Sequence, residues 1–292
     1  MTADDHQDET ATGPLRGVRV LDLGTLLAGP VSATLLGDFG AEVIKIEQPG
    51  IGDTIRGGPS KPGDSPRLSW LVEGRNKRSV TVNMREPAGQ DLIRRLATTV
   101  DVVVENFTPG TLEGWSLGWD DLHAVNEALI MVRVSGFGQT GPYSKRAGYD
   151  RIALGVSGYL YPTGYPDRPP VRPAFPTADY NTASYAAFAA MLALYERDVQ
   201  GGVGQMIDLA LYEPPFRITA DMIGAYRSKG AIRERIGNRN PTFTPAGNFL
   251  TSVKSVRSLD QIGGADAWVD CVASALNWPT RRTHARRATE AR

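Results

Sequence analysis

The chain has 292 residues, of which 41% are apolar and 22% are charged, and its 32 basic residues balance its 32 acidic residues. This length and composition support a large buried core, which excludes a disordered or fibrous protein, and the zero net charge excludes recruitment of nucleic acid or anionic membranes by an overall field. A single cysteine and three histidines exclude an internal disulfide framework and a multi-cysteine zinc site, so no metal site is predicted.

No segment of the sequence approaches the ~18 consecutive apolar residues of a membrane span. Residues 1–13 are acidic and lack the basic and apolar regions of a signal peptide. We therefore expect a cytoplasmic protein that contacts neither membranes nor nucleic acid.

Apolar, β-branched runs alternate with helical patterns along the first two thirds of the chain. Residues 18–23 predict a strand, residues 28–40 a helix and residues 42–47 a second strand, which together have the length of a right-handed parallel crossover. Strands with near-continuous apolar runs are buried on both faces, so the fold class is α/β with an open, mostly parallel sheet and flanking helices. The same patterns predict strands at 79–82, 100–104, 129–134 and 205–209, a helix starting near residue 86 and a long helix at 178–197.

Residues 136–141, GFGQTG, match the glycine pattern of dinucleotide-binding proteins and follow a predicted strand. Pro142 and Tyr143 come next, no helix opens there, and no strand ending in an acidic residue follows at the spacing that a ribose contact requires. We therefore favour a tight glycine turn, whose bare backbone lets a ligand or another segment pack closely.

Residues 75–78, RNKR, form a short basic loop. Arginine forks and lysine ammonium groups suit phosphate oxygens, which makes this loop a candidate phosphate contact. Short charge clusters are also common on solvated surfaces, so both interpretations stay open.

Asp179 lies where a proline-rich loop meets the long predicted helix. A carboxylate there feels the positive helix end, which favours its ionised form and suits a nucleophile. Aspartate is also a common N-cap residue, and helix capping alone would account for its position. The three histidines form no visible catalytic triad and no metal-binding spacing.

Six strings follow one another between residue 16 and about residue 250. Together and in this order they resemble the class III coenzyme A transferases, the family named for carnitine dehydratase and bile-acid-inducible protein F. The strings are LDLGTLLAGP (21–30), DFGAEVIKIEQPGIGDTIR (38–56), GRNKRSVTVNM (74–84), DVVVENFTPGTLEGWSLGW (101–119), VSGFGQTGPYSKRAGYD (134–150) and the block from 178 through GQMID (204–208).

The resemblance implies that coenzyme A moves from an acyl-CoA thioester to a small free carboxylic acid. In the family an aspartate attacks the thioester, forms a mixed anhydride and becomes an enzyme thioester, which the acceptor acid resolves. Asp179 matches that aspartate. The leaving thiolate is stable near neutral pH, so this chemistry needs no strong acid, no metal and no tightly bound cofactor.

The resemblance also implies contacts to coenzyme A. Thr25, Gln48 and Gly114 stand where relatives often carry basic residues, so other residues of this chain are expected to supply the charged contacts. The implied contacts are Ala28 and Gly29 to the pantetheine, Lys77 and Arg78 to the nucleotide phosphates, and Asn106 and Phe107 to the coenzyme. Gly136, Gly138 and Tyr149 are further candidate coenzyme A contacts, the two glycines as backbone lining a water-poor pocket.

Racemases of the same family carry a histidine base immediately before the aspartate that corresponds to Asp150. Here the position is Tyr149, and a phenol with an unperturbed pKa of about 10 is a poor base at neutral pH. CoA transfer is therefore favoured over an α-methylacyl-CoA racemase activity.

Family members continue further through a smaller second domain and form interlocked homodimers, whereas this chain ends at Arg292. We expect a leader at residues 1–15, a CoA-binding, Rossmann-like domain at 16–225, and a linker with the shortened start of the small domain at 226–292. A catalytically inactive relative that binds coenzyme A or a partner subunit is the alternative.

Overall fold

The structure, a computed structural model, describes residues 12–57 and 67–239, together with the backbone of residues 247–250 and 256–259. Two compact units are distinguished. The first reaches Tyr159 and resumes over Pro173–Gly230, and the second comprises Leu160–Arg172 and the chain from Ala231 onward. The domain boundaries expected at residues 15 and 225 stay predictions.

The first unit is built on a six-stranded sheet in which every pairing is parallel. Its strand order, 3-2-1-4-5-6, is the Rossmann order, and it confirms the predicted open α/β sheet. The observed strands and the long helix lie within two residues of their predicted bounds. The strands are β1 (Arg19–Asp22), β2 (Glu42–Glu47), β3 (Lys77–Thr81), β4 (Val102–Glu105), β5 (Ile130–Ser135) and β6 (Met206–Ala210).

Helices cover the sheet, as expected for strands whose side chains are buried on both faces. Short 3-10 helices at Thr54–Arg56 and Glu113–Trp115 complete the regular structure of this unit. The helices are α1 (Ala28–Asp38), α2 (Leu68–Glu73), α3 (Pro87–Ala97), α4 (Trp119–His123), α5 (Asp150–Val156), α6 (Thr177–Val199), α7 (Glu213–Ile218) and α8 (Met222–Lys229).

The core lies against the sheet. On one face Leu21, Val103 and Met131 pack with Ile93 of α3 and Leu122 of α4, and all five are 0% exposed. The opposite face is covered by α1 and α6, which pack against each other and against the central strands. Along α6 small side chains permit this close approach; they are Ala183, Ala186 and Ala190, each 0% exposed.

In the second unit, strands β7 (Gly247–Leu250) and β8 (Val256–Leu259) form an antiparallel pair. Within the described parts of the chain, no helix has both the length and the hydropathy needed to cross a bilayer.

The carboxyl ends of the six parallel strands meet at one edge of the sheet, and the strand order reverses between β1 and β4. Ligands of open α/β sheets bind at this edge, in the crevice at the reversal point. Helix α6 ends near the amino end of β5, because Gly204, between α6 and β6, donates to the carbonyl of Glu127 just before β5. The first turn of α6 therefore lies at the opposite, carboxyl edge of the sheet.

Candidate active site

The turn between β1 and α1 lies at the reversal point of the sheet, beside Asn106 after β4. The Asn106 amide brackets Thr25, accepting from its N–H at 2.7 Å and donating to its carbonyl at 2.8 Å. A Cβ on Gly29 would lie 3.2 Å from the Asn106 side chain, so glycine is what lets α1 approach this closely. Ala28 and Gly29 open α1 with no side-chain cap on their amides. The structure thus brings Ala28, Gly29 and Asn106 together.

A cavity lies next to this turn, at the carboxyl ends of β1, β2 and β3. Phe107 and Trp115 form one wall, with ring centroids 5.5 Å apart in an edge-to-face arrangement. Arg85 lines the cavity and is exposed to solvent. The sequence analysis missed Arg85 and Trp115, although Arg85 follows β3 closely and the carboxyl ends of parallel strands point to ligand sites.

Lys77 and Arg78 are neighbours on β3 and point to opposite faces, as successive strand residues do. The Lys77 ammonium donates to Asp22 Oδ2 at 2.8 Å and to the Pro30 carbonyl at 2.6 Å, and its side chain is 1% exposed. Burial lowers the pKa of Lys77 despite Asp22 beside it. Arg78 is 67% exposed and pairs with Glu42 at 3.1 Å. Of the two predicted phosphate contacts, Arg78 is thus the accessible one, and Lys77 faces inward.

The glycine turn after β5 packs against the chain's own backbone. A Cβ on Gly136 would lie 2.5 Å from the Cα of Gly148, so neither position has room for a side chain. Gly138 has a φ of +85° and lies against the Asp208 carboxylate, whose two oxygens accept from the Gln139 N–H at 2.9 and 3.0 Å. The bare backbone therefore serves a close approach of two loops, and the predicted contacts of Gly136 and Gly138 with a ligand stay predictions.

Asp179 is the third residue of α6, and Pro176 occupies the N-cap position. The N-cap interpretation of Asp179 is therefore wrong. The carboxylate that caps α6 belongs to Asp150, whose Oδ1 accepts from the N–H of Ala178 at 2.7 Å and of Asp179 at 3.4 Å. Local sequence does not reveal this cap, because it comes from 28 residues earlier in the chain.

Asp179 is half-buried, and burial together with the Asp150 charge raises its pKa to about 7. The expectation that the helix end would favour the ionised form is thus wrong in direction, because desolvation and a neighbouring carboxylate outweigh it. Near neutral pH about half of such groups are ionised. A perturbed carboxyl at the ligand edge of an α/β sheet is a candidate nucleophile.

Tyr149 occupies the N-cap position of α5, between Gly148 and Asp150, and is 66% exposed. The segment 148–150 therefore links the glycine turn to the start of α6. Of the predicted residues, Ala28, Gly29, Asn106 and Phe107 thus form one group at the carboxyl edge of the sheet, and Tyr149 and Asp179 form a second. Lys77 and Arg78 begin β3 and so lie at its amino end, away from both groups. Among the described residues, no cluster of three or more metal-ligating side chains is found.

Comparison with known proteins adds a profile match and several relatives. The profile of CoA-transferase family III matches residues 15–291. Succinyl-CoA--D-citramalate CoA-transferase of Chloroflexus aurantiacus is 45% identical over 94% of this chain and 68% of its own length. The beta subunit of succinyl-CoA--L-malate CoA-transferase from the same bacterium is 49% identical over 83% and 60%. Human succinyl-CoA:glutarate CoA-transferase is 39% identical over 82% and 54%. The chain therefore spans about half to two thirds of the length of these relatives.

Two solved structures are also similar to this chain. A CaiB/BaiF family protein from Brucella suis superposes with a TM-score of 0.79 at 36% identity, over 91% of this chain and 70% of its own. A Mycobacterium tuberculosis protein superposes with a TM-score of 0.72 at 29% identity, over 92% and 70%.

Proposed function

The chain belongs to CoA-transferase family III, and from this premise we propose that it transfers coenzyme A from an acyl-CoA thioester to a free carboxylic acid through Asp179. One observation carries the proposal. A half-buried carboxyl with a pKa raised to about 7 lies in the first turn of α6, at the carboxyl edge of a Rossmann-ordered sheet. This edge is where such sheets bind ligands.

In the proposed reaction, an ionised Asp179 oxygen attacks the thioester carbon, the carbon–sulfur bond breaks, and the coenzyme A thiolate leaves a mixed anhydride. The thiolate then attacks the Asp179 carbonyl carbon, which releases the donor acid as a carboxylate and leaves an enzyme thioester. The acceptor carboxylate repeats the two steps in reverse order. Charges and atoms balance without a proton, a metal or a redox partner.

Partial burial suits this chemistry. The mixed anhydride is sensitive to water, so a half-buried carboxyl survives longer as an intermediate than an exposed one. The departing thiolate is a weak base, which removes the need for a proton donor. A pKa of about 7 leaves enough of Asp179 ionised at neutral pH to act as the nucleophile.

The cavity beside the β1–α1 turn is the proposed site of the coenzyme A nucleotide. Phe107 and Trp115 offer aromatic surface to a purine, and Arg85 offers a guanidinium to phosphate oxygens. The main chain of Ala28 and Gly29 is then available to the pantetheine, and Tyr149 lies on the side of the reacting acyl group. Coenzyme A is a substrate in this scheme, and no tightly bound cofactor is proposed.

The names of these relatives suggest the substrates. These relatives act on succinyl-CoA with citramalate, malate or glutarate. We propose succinyl-CoA as the donor and a four- or five-carbon dicarboxylic acid as the acceptor. The interlocked homodimer and the cytoplasmic location expected from the sequence stay predictions.

The test is detection of the covalent intermediate. The purified chain is incubated with succinyl-CoA, and mass spectrometry follows a borohydride- or hydroxylamine-sensitive modification of the peptide that holds Asp179. The modification is expected in wild type and in the control Asp198→Ala, which removes an exposed carboxylate near the far end of α6, and is expected to vanish in Asp179→Ala. A folded wild type that binds coenzyme A but acquires no modification contradicts the transferase proposal and favours the inactive relative. Deuterium exchange at the acyl α carbon without modification favours the racemase.

A further inference from the structure

Leu26, in the turn between β1 and α1, has a φ of +68°. The left-handed conformation costs a non-glycine residue about 1 to 2 kcal/mol, and a branched aliphatic side chain gains nothing from it locally. Such a conformation persists only where the surroundings fix it, and it is common at ligand sites. The question is therefore what holds this turn.

Four side chains from four parts of the chain hold the turn 24–27, and we call them the loop clamp. Asp22 Oδ1 accepts from the Gly24 N–H at 3.0 Å, and Asp53 Oδ1 accepts from the Leu26 N–H at 3.0 Å. The Lys45 ammonium donates to the Gly24 carbonyl. Asn106, which brackets Thr25, completes the set.

The charged members of the loop clamp are inaccessible to a ligand. Lys45 and Asp22 have 0% exposed side chains, and Asp53 has 1%. The Lys45 ammonium lies 3.2 Å from Asp53 Oδ2 and 3.5 Å from Asp22 Oδ1, while Lys77 pairs with the other oxygen of Asp22. Two buried carboxylates are thus balanced by two buried ammonium groups. A buried and balanced network of this kind adds little net stability, so stability alone does not explain why it is here.

We propose that Asp53, whose carboxyl group lies against the buried Lys45 ammonium, positions the turn 24–27 for coenzyme A by accepting from the Leu26 N–H, so that Leu26 is left-handed and α1 begins where the pantetheine runs. This inference rests on the proposed function, because it assigns the clamped turn to the coenzyme A site. Lys45 and Asp53 are assigned as positioning residues, since their side chains are 0% and 1% exposed. Asp53 extends the effect to its own loop, because its Oδ1 also accepts from the Ile55 N–H at 3.0 Å.

The test compares two substitutions of one residue in the full chain. Asp53→Ala removes the acceptor for Leu26 and one partner of Lys45, whereas Asp53→Asn keeps an amide oxygen in place for the Leu26 N–H. Calorimetry with coenzyme A is expected to give a Kd about tenfold weaker for Asp53→Ala, the loss of one well-placed hydrogen bond, and a Kd within about threefold of wild type for Asp53→Asn.

Hydrogen exchange separates positioning from direct contact. Without coenzyme A, the peptide covering residues 21–30 is expected to exchange faster in Asp53→Ala and at the wild-type rate in Asp53→Asn. Should Asp53→Ala not fold, Asp53→Ser replaces it, because a serine hydroxyl can still accept from the amide two residues on but lacks a second oxygen for Lys45.

The control is Asp101→Ala at the opposite edge of the sheet, where Asp101 accepts from the Arg19 N–H at 2.8 Å and pairs with Arg197 at 2.9 Å. It is expected to lower stability and leave the coenzyme A Kd unchanged. A Kd that weakens in Asp53→Ala with unchanged exchange overturns positioning in favour of direct contact. An unchanged Kd in a wild type that binds coenzyme A overturns this inference alone, whereas a wild type that binds none overturns the proposed function with it.

Discussion

Two turns at the same edge of the sheet are fixed by opposite means. The turn 24–27 is held by buried charged side chains, which converge on its backbone from β1, β2 and the segment around Asp53. The turn 136–141 is held by the absence of side chains, because Gly136 lies against Gly148, and by a single carboxylate from β6. The first turn depends on polar contacts, and the second depends on space.

This difference is consistent with the role proposed for each turn. The first lies at the proposed site of coenzyme A, the part of the substrate that is the same for every acyl group, and ion pairs fix its shape before the ligand arrives. The second adjoins Tyr149 and Asp150 and so leads to Asp179, the proposed nucleophile. Deletion of a polar group is therefore expected to disrupt the turn 24–27. Addition of a methyl group is expected to disrupt the turn 136–141.

The largest effect is expected at Asp179 itself. Asp179→Asn removes the proposed nucleophile but keeps the size of the side chain, so turnover with succinyl-CoA and a dicarboxylic acid is expected to fall by about a thousandfold or more. The coenzyme A Kd is expected to stay within about threefold, since the binding turn is held independently. Steady-state kinetics and calorimetry measure the two. A comparable loss of both would mean that the two regions are not separate.

The next effect concerns the glycine contact. Gly136→Ala places a Cβ 2.5 Å from the Gly148 Cα, and because backbone cannot yield as a side chain does, the free energy of unfolding is expected to fall by about 3 kcal/mol. The matched control is Gly155→Ala in α5, where a Cβ meets nothing within 4 Å and the helix gains about 0.5 to 1 kcal/mol. Urea denaturation measures both. Equal stability of Gly136→Ala and wild type would show that the loops are not tightly packed.

The sequence could predict features that depend on local patterns, but not those that depend on tertiary contacts. Strands such as β4 are visible because burial on both faces leaves an apolar run, and Asp179 is visible through its family resemblance and its place at a helix start. The residues missed depend on partners far away in the chain. Lys45 is a charged residue within an apolar strand, and its pairing with Asp22 and Asp53 and its hydrogen bond to the Gly24 carbonyl explain it.

The two errors at Asp179 have a common cause. Both the capping and the ionisation were inferred from neighbours in sequence. Tertiary structure decides both, because Asp150 supplies the cap, and burial followed by the charge of Asp150 raises the pKa of Asp179. The local sequence predicts where α6 begins but does not show which carboxylate caps it. The approach of Gly148 to Gly136 is invisible for the same reason, since a glycine pattern does not reveal what its bare backbone contacts.

A smaller effect is expected from Glu47, which supports the first turn through Asp53. Burial alone would raise its pKa, but hydrogen bonds from Arg56, Ser79 and the Asp53 N–H lower it to about 2. The folded pKa thus lies below the ordinary glutamate pKa of 4.5, so the stabilisation is complete above that value and is lost as the pH falls toward about 2.

Glu47→Gln is therefore expected to lower the free energy of unfolding by about 2 kcal/mol at pH 7 and by less near pH 3. The loss at pH 7 is kept to this size because Arg56 is a third exposed, so solvent weakens its attraction to Glu47. Glu42→Gln on the same strand, whose partners Arg19 and Arg78 have side chains 38% and 67% exposed, is the control and is expected to change stability by less than about 0.5 kcal/mol. A deficit for Glu47→Gln that is equal at both pH values would contradict the charged role of Glu47.

The smallest effect tests the carboxyl pair of the second region. Asp150→Asn keeps an oxygen for the Ala178 N–H but removes the charge that, after burial, raises the pKa of Asp179 to about 7. Because the nucleophile is the ionised form, single-turnover acylation in wild type is expected to rise with pH and to level off above about 8. In Asp150→Asn the midpoint is expected to move down by about one unit, so that the variant is about fivefold faster at pH 6 and equal to wild type above about pH 8. Asp198→Asn, which alters an exposed carboxylate near the far end of α6, is expected to keep the wild-type midpoint. An unmoved midpoint in Asp150→Asn would assign the raised pKa of Asp179 to burial alone. Charged side chains would then act on the turn 24–27 but not on the Asp179 carboxyl, and the two regions would share only their place at the carboxyl edge of the sheet.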